Sequence, residues 1–517
     1  MSEEDTFKNM DNINIDNTPF YKKRVFLIAA AAGLIIIAII IIVAATSGDG
    51  KDSTDGGKDS KENSCIIGKG RFCLTCVKNS KKCATCNPGF IINDNYNKGE
   101  KCDIDYSINA IYKTEKDNEE IDLLDSKYKD IITELIVDGV KKEISTKYKF
   151  PKAWSITVLL KTNLENISTL SGMFAKNKNI IYIETTQLFN ITTIINMEQM
   201  FNECTSLETA ILPNLSGQNL QKIDKLFYGC SSLKNVGLGN FVASQLISIS
   251  EMFKGCISLN SVYLSNFSPS KLESTESMFS DLTNLVSINF GIFNAGNLKY
   301  MNKMFYNCQS LVSFSLSKFV ANSLVSMDEM YFNCYKLTSV SFGNIYTPNL
   351  ESLTKMFGNC SSLQNVDLGM ITEKVKNMDQ IFYNCKALTS FGFGMNFKAS
   401  NELSLKEMFY NCLSLEKFSY SFNSFTVSNI EKMFYKCSSL TSINLKVFKT
   451  ENAHSMDEMF YYCNKLSSID ISTFTTSLTS IKLFNELPSK GNIIVNQKFL
   501  SLIKDQIPSS WTTSTSK

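Results

Sequence analysis

From Asn177 to Cys463 the hydrophobic pattern repeats about every 26 residues. Forward from Cys308, apolar side chains fall at Leu311, Phe314, Leu316, Phe319, Leu324, Met327, Met330 and Tyr331, and the next unit opens at Cys334. The unit from Cys437 continues in the same way with Leu440, Ile443, Leu445 and Phe448. The consensus is C-x2-L-x2-I-x-L-x2-F-x4-L-x2-M-x2-M-F-x2-C. Its first half sets apolar residues two apart, the alternation of a strand with one buried face. Its second half places Met327, Met330, Tyr331 and Cys334 at i, i+3, i+4 and i+7, the stripe of a short helix.

Ten register positions are cysteine (Cys204, Cys230, Cys256, Cys308, Cys334, Cys360, Cys385, Cys412, Cys437 and Cys463), and Leu282 and Asn177 complete twelve. A fixed period in the twenties marks a solenoid, in which each unit hides its apolar face only by stacking on its neighbours. The expected fold is therefore α/β: a leucine-rich-repeat solenoid of about twelve 26-residue strand–helix units over 166–481, with strands on the concave side and helices outside. Exposed solenoid ends need atypical capping units. A small β-rich cap is expected over 103–165, with strands at 108–114, 131–137 and 155–162 and a hairpin turn at Asp138-Gly139. A C-terminal cap and tail cover 482–517, with a last strand at 493–495, a helix over 497–506 and a loose polar tail around Trp511.

The Met-Phe-x2-Cys signature recurs as Met304-Phe305, Met356-Phe357, Met408-Phe409, Met433-Phe434 and Met459-Phe460. It resembles the BspA-type leucine-rich repeat family over roughly 170–481. That resemblance implies a surface protein of the kind found on mucosal bacteria and anaerobic parasitic protists, associated with adhesion to host cells or matrix.

The repeat cysteines occupy the apolar stripe, where Leu282 also stands, so buried free thiols are expected. A disulfide ladder between units is the competing reading and a metal ladder a third.

Residues 25–45 read VFLIAAAAGLIIIAIIIIVAA, an uncharged run long enough to span a bilayer. Lys22, Lys23 and Arg24 precede it, which places residues 1–24 in the cytoplasm and the remainder outside the plasma membrane. A signal peptide cleaved before Thr46 is the alternative, and it leaves the repeats outside as well. Residues 46–64 hold no large apolar side chain and form a flexible linker. Six cysteines follow within 65–102: Cys65, Cys73, Cys76, Cys83, Cys86 and Cys102. Outside the cell they are expected to form three disulfides, with a zinc site as the alternative. The C-x2-C-N-P-G-F stretch resembles EGF- or furin-like cysteine-rich units.

Net charge is +2 with 20% charged residues, which argues against nucleic acid as a partner. His454 is the sole histidine, so a His-based triad elsewhere and a His metal cluster are excluded, and no phosphate-cradling glycine loop occurs. A non-enzymatic binding protein without cofactor or metal is expected. The polar positions of the repeat strands supply the candidate binding residues: Ser261, Tyr263, Ser287, Asn289, Ser313, Ser315, Ser339, Ser341 and Asp367. Their expected partners are host or neighbouring-cell surface proteins, matrix or glycans; a structural or variable coat without a dedicated ligand is the other reading. Candidate N-glycan acceptors are Asn166, Asn190, Asn214, Asn266 and Asn359.

Overall fold

The computed structural model describes residues 106–516, apart from short breaks at loop corners, together with four short strands between residues 73 and 104. About eleven turns of chain stack into a solenoid. One wall is a parallel sheet of very short strands, among them Ser261–Tyr263, Ser313–Ser315, Ser339–Ser341, Asn365–Asp367 and Ser390–Gly392. Leu, Val, Ile and Phe from every coil fill one continuous core.

The opposite wall corrects the helix expectation. Among the described residues the repeats contain no α-helix, and Gln497–Ile503 near the C-terminus is the α-helix present. In one coil, the N–H groups of Met200, Asn202 and Cys204 bond back three residues, to the carbonyls of Met197, Gln199 and Phe201. The alternate N–H groups of Met197, Gln199, Phe201 and Glu203 leave the coil and donate to Lys222, Asp224, Leu226 and Tyr228 of the next, at 2.9, 2.9, 2.9 and 2.6 Å. Two residues per coil, four apart, take positive φ: Gln199 and Glu203, Lys303 and Asn307, Lys355 and Asn359, Glu407 and Asn411. A left-handed residue every fourth position breaks an α-helix. The segment is thus a run of tight turns, and its 3–4 apolar spacing still buries Met200, Phe201 and Cys204.

Because the turn wall is bonded coil to coil through backbone, both walls advance by one strand spacing, about 4.8 Å per coil. Among the described residues the turn side of the repeats carries no helical layer.

Two side-chain ladders run through the core. Thirteen rings, from Phe174 to Phe484 with Tyr331 as the single tyrosine, stack at centroid distances of 5.3–5.7 Å and interplanar angles of 3–14°. Beside them lie the ten register cysteines, all buried and free. Each thiol donates to the carbonyl of the ring residue one coil back, as from Cys204 Sγ to Phe174 O at 3.0 Å and from Cys360 Sγ to Tyr331 O at 3.1 Å. Burial pushes the thiols of Cys230, Cys360 and Cys463 up, Cys463 to about 12, so these remain protonated donors. Asn177, in the first register position, donates instead to the carbonyl of Asp122 at 2.8 Å and so bonds the first coil to the cap.

The N-terminal cap continues the solenoid sheet. Ile180–Thr185 pairs parallel with Thr209–Ile211 on one side and antiparallel with Ser107–Lys113 on the other. Ser155–Thr162, Ile132–Val137 and Val140–Lys142 follow in order, the last two joined through Asp138-Gly139. At the other end, Asn492–Asn496 pairs parallel with Ser468–Ile471. The tail expected to be loose forms strand Thr512–Ser516 against Asn492–Asn496. Trp511 is buried and donates its Nε1 hydrogen to the Pro488 carbonyl at 2.8 Å.

Cys73–Cys76 pairs antiparallel with Cys83–Cys86, setting Cys73 opposite Cys86 and Cys76 opposite Cys83. The side chains of this module lie outside the described residues, and so do residues 1–24, the 25–45 run and the 46–64 linker. Among the described residues no helix is long and apolar enough to cross a membrane.

Candidate binding face

The sheet wall alternates residue by residue. In Ser313–Ser315, Ser339–Ser341 and Asn365–Asp367 the central Phe314, Val340 and Val366 enter the core, and the flanking polar residues are exposed. Parallel in-register pairing then builds columns. Ser313, Ser339, Asn365 and Ser390 form one, and Ser315, Ser341, Asp367 and Gly392 the next. Ser261 pairs with Ser287 and Tyr263 with Asn289 in the preceding strands. The structure therefore brings the candidate residues onto one face. Tyr263 is the most exposed large side chain there, at 70%. Some hydroxyls are satisfied locally, Ser315 with Ser317 at 2.8 Å and Ser390 donating to Asn365 Oδ1 at 2.6 Å.

The turn wall carries columns that the strand-centred reading of the sequence passed over. Residues just before the register cysteine form an amide ladder: Asn359 donates to Asn333 at 2.8 Å, Asn384 to Asn359 at 2.9 Å and Asn411 to Asn384 at 2.8 Å. Asn, like Gly, tolerates the left-handed backbone these positions require. Asn359 thus spends both ends of its amide on neighbouring coils, whereas Asn166 is exposed. Asn190, Asn214 and Asn266 lie outside the described residues.

The residue after the core ring forms a partly exposed aromatic column. Tyr383 and Tyr410 stack at 4.9 Å, Tyr410 and Tyr435 at 4.7 Å, and Tyr306 and Phe332 at 5.6 Å. Gly358 interrupts the column because a Cβ there would come within 2.6 Å of the Phe332 ring. Tyr410 has both ring faces covered, by Tyr383 and Tyr435. The signal was available as the Tyr or Phe that follows the core ring at 306, 332, 383, 410 and 435. A third column alternates in sign, with Lys225–Glu251, Lys303–Glu329 and Lys432–Glu458 at 3.5, 3.9 and 3.7 Å.

A polar column lies beside the turn wall. Asn302 Oδ1 accepts from Ser326 Oγ at 2.6 Å and from the Asp328 N–H at 3.0 Å, both in the next coil. Asp224 and Asp379 make the equivalent bonds, and burial raises both carboxyls above the ordinary aspartate value. His454 is exposed. Among the described residues, no group of three or more His, Cys, Asp or Glu side chains is arranged to hold a metal. An open pocket of about 490 Å³ lies where cap and first coil meet, lined by Asp122, Asp125, Lys147, Lys176 and Asn177 among others.

The fold and this face define a class, a solenoid of leucine-rich coils that presents regular columns of side chains. The chain belongs to the family described as "Mycoplasma protein of unknown function, DUF285", whose model matches residues 144–267, 212–312, 273–392 and 392–487. No curated protein matches the sequence. Among solved structures, the chain is similar to a leucine-rich repeat protein from Bacteroides ovatus at 17% identity, covering 73% of this chain and 90% of that one, with a TM-score of 0.44. It is also similar to a leucine rich cell surface protein from Faecalibacterium prausnitzii at 14% identity, covering 62% and 84%, with a TM-score of 0.33. A Treponema leucine-rich repeat protein (T. pallidum TpLRR) gives 19% identity, 42% and 81% coverage and a TM-score of 0.24.

Proposed function

We propose that this chain is a cell-surface adhesion or binding protein, anchored by the 25–45 run and displaying its solenoid outside the plasma membrane. The observation that carries the binding role is the pair of exposed, in-register polar columns on the sheet wall. Contacts there would be hydrogen bonds spread over many coils rather than one pocket, which suits recognition of an extended surface and not catalysis. In this reading the partner is a surface protein, matrix component or glycan of a host or neighbouring cell. The cysteine module at 65–102 is a disulfide-closed spacer between anchor and solenoid, and Asn166 is an accessible glycan acceptor. The second reading, a coat protein without a dedicated ligand, draws on the same columns, because small polar residues also suit a sheet that simply faces water.

Cells displaying the full chain separate the two. Adhesion to host cells or matrix that is lost with Ser313→Arg and Ser339→Arg, at unchanged surface level, is the expected outcome. Adhesion unaffected by those changes removes the sheet wall as the site, and absence of adhesion to any cell or matrix favours the coat.

A further inference from the structure

Tyr383, Tyr410 and Tyr435 occupy the same position in three successive coils, and their rings stack at 4.9 and 4.7 Å with interplanar angles of 15° and 4°. Backbone bonds between the coils hold that spacing: the N–H of Asn384 donates to the Tyr410 carbonyl at 2.8 Å, and the N–H of Asn411 to the Tyr435 carbonyl at 2.7 Å. All three side chains are half-buried on the turn wall, beside the buried Phe382, Phe409 and Phe434. The stack itself does not require a phenol, because Phe332 fills the same position against Tyr306 at 5.6 Å and 12°. The coil before Tyr383 has Gly358 there and so no ring. In the coil after Tyr435, Tyr461 lies further off, at 6.4 Å, and Tyr462 stands edge-on at 80°. Among the described residues, Tyr383, Tyr410 and Tyr435 are therefore the closest face-to-face phenols.

Phenols held this way are arranged for radical coupling. A one-electron oxidant removes one electron and one proton from each of two phenols. The two phenoxyl radicals join by a bond between one ortho carbon of each ring, and the hydrogens on those carbons pass to the oxygens, which restores two phenols. Hydrogen peroxide, acting through a haem peroxidase, takes up the two electrons and two protons and leaves as two waters. Between free tyrosines this reaction needs two radicals to meet. Here the partner ring is already in place, which is the gain of an intramolecular step over a bimolecular one.

We propose that Tyr383, Tyr410 and Tyr435 form an oxidative cross-linking site, at which peroxide-driven coupling makes a dityrosine bond between successive coils. The bond joins units that otherwise cohere only through contacts with their neighbours. It constrains the unfolded chain as a disulfide does. The proposal is independent of the sheet wall and of what that wall binds.

The test treats the full chain, in detergent and at high dilution, with a haem peroxidase and hydrogen peroxide, then maps its peptides by mass. Cross-linked pairs joining Tyr383 to Tyr410 or Tyr410 to Tyr435, lighter by two hydrogens, are expected from protein that still runs as a monomer on a denaturing gel. Tyr410→Phe keeps a ring in the stack, as Phe332 does, and is expected to lose both pairs. Tyr306→Phe, whose stacked neighbour is already phenylalanine, is expected to leave them at the parent yield. Melting before oxidation that matches the parent shows that each variant folds. Dityrosine found only between separate chains, at exposed tyrosines such as Tyr263 or Tyr346, overturns the proposal. So does oxidation that leaves the three rings uncoupled. A Tyr383 to Tyr435 pair in Tyr410→Phe also overturns it, because rings two coils apart do not meet in the stack.

Discussion

Tyr331 stands in a column otherwise made of phenylalanine, and its hydroxyl is buried without a hydrogen-bond partner. A buried polar group left unpaired costs on the order of 1–3 kcal/mol. Tyr331→Phe keeps the stacked ring and removes that cost, so a rise in thermal midpoint is expected, read by calorimetry on the full chain. Asp224 offers a second test. Its carboxyl is raised by burial, so the folded state holds the proton more tightly than the unfolded chain. The stability it contributes is present below the ordinary aspartate range and is lost as pH rises through the raised value. Asn302 fills the equivalent position with a neutral amide and the same two bonds. Asp224→Asn is therefore expected to match or exceed the parent midpoint near neutral pH, with the gain shrinking on acidification; a loss at neutral pH contradicts the reading. The burial of the cysteines was legible from Leu282 in their register. Their bond to a carbonyl one coil back was not, because no spacing within one unit reveals what the preceding unit places opposite it.

At the level of elements, strand alternation proved legible and helix spacing misleading. An i, i+3, i+4, i+7 stripe records which side chains face the core, and a run of tight turns buries that stripe as well as a helix does. The clue that separates them is the polar residue or glycine recurring four positions apart, as at Gln199 and Glu203 or Lys225 and Gly229, where the backbone turns left-handed. The tail was misread for a related reason. Thr512–Ser516 is polar on both faces and has no burial pattern of its own, and it is held by pairing with Asn492–Asn496 and by Trp511 seated against Gly491, where a Cβ would come within 2.5 Å of the ring. Trp511→Ala is expected to cost about 3–5 kcal/mol locally. Since coils contact only their neighbours, the loss should stay at this end. Hydrogen exchange should show fast exchange at 512–516 with protection retained in the central coils, and uniform loss throughout the repeats would contradict a nearest-neighbour stack.

For the whole molecule, the decisive property is the separation of its two long walls. The turn wall is knitted by backbone bonds, amide and aromatic columns and alternating charge, so its groups are largely satisfied from coil to coil. The sheet wall is the side with polar groups turned outward in register. The candidate residues could be named from the sequence because strand alternation fixes which side chains point out. Their assembly into columns became visible only once the pairing register was known. The proposed partner, on a host or neighbouring cell, can be met only if that surface lies outside the cell, so protease shaving of intact cells, with the released and retained peptides mapped by mass, tests the account most directly. Release of peptides from 106–516, with residues 1–24 kept by the cell, is the predicted result. Peptides from the repeats surviving intact until the membrane is permeabilised would contradict it.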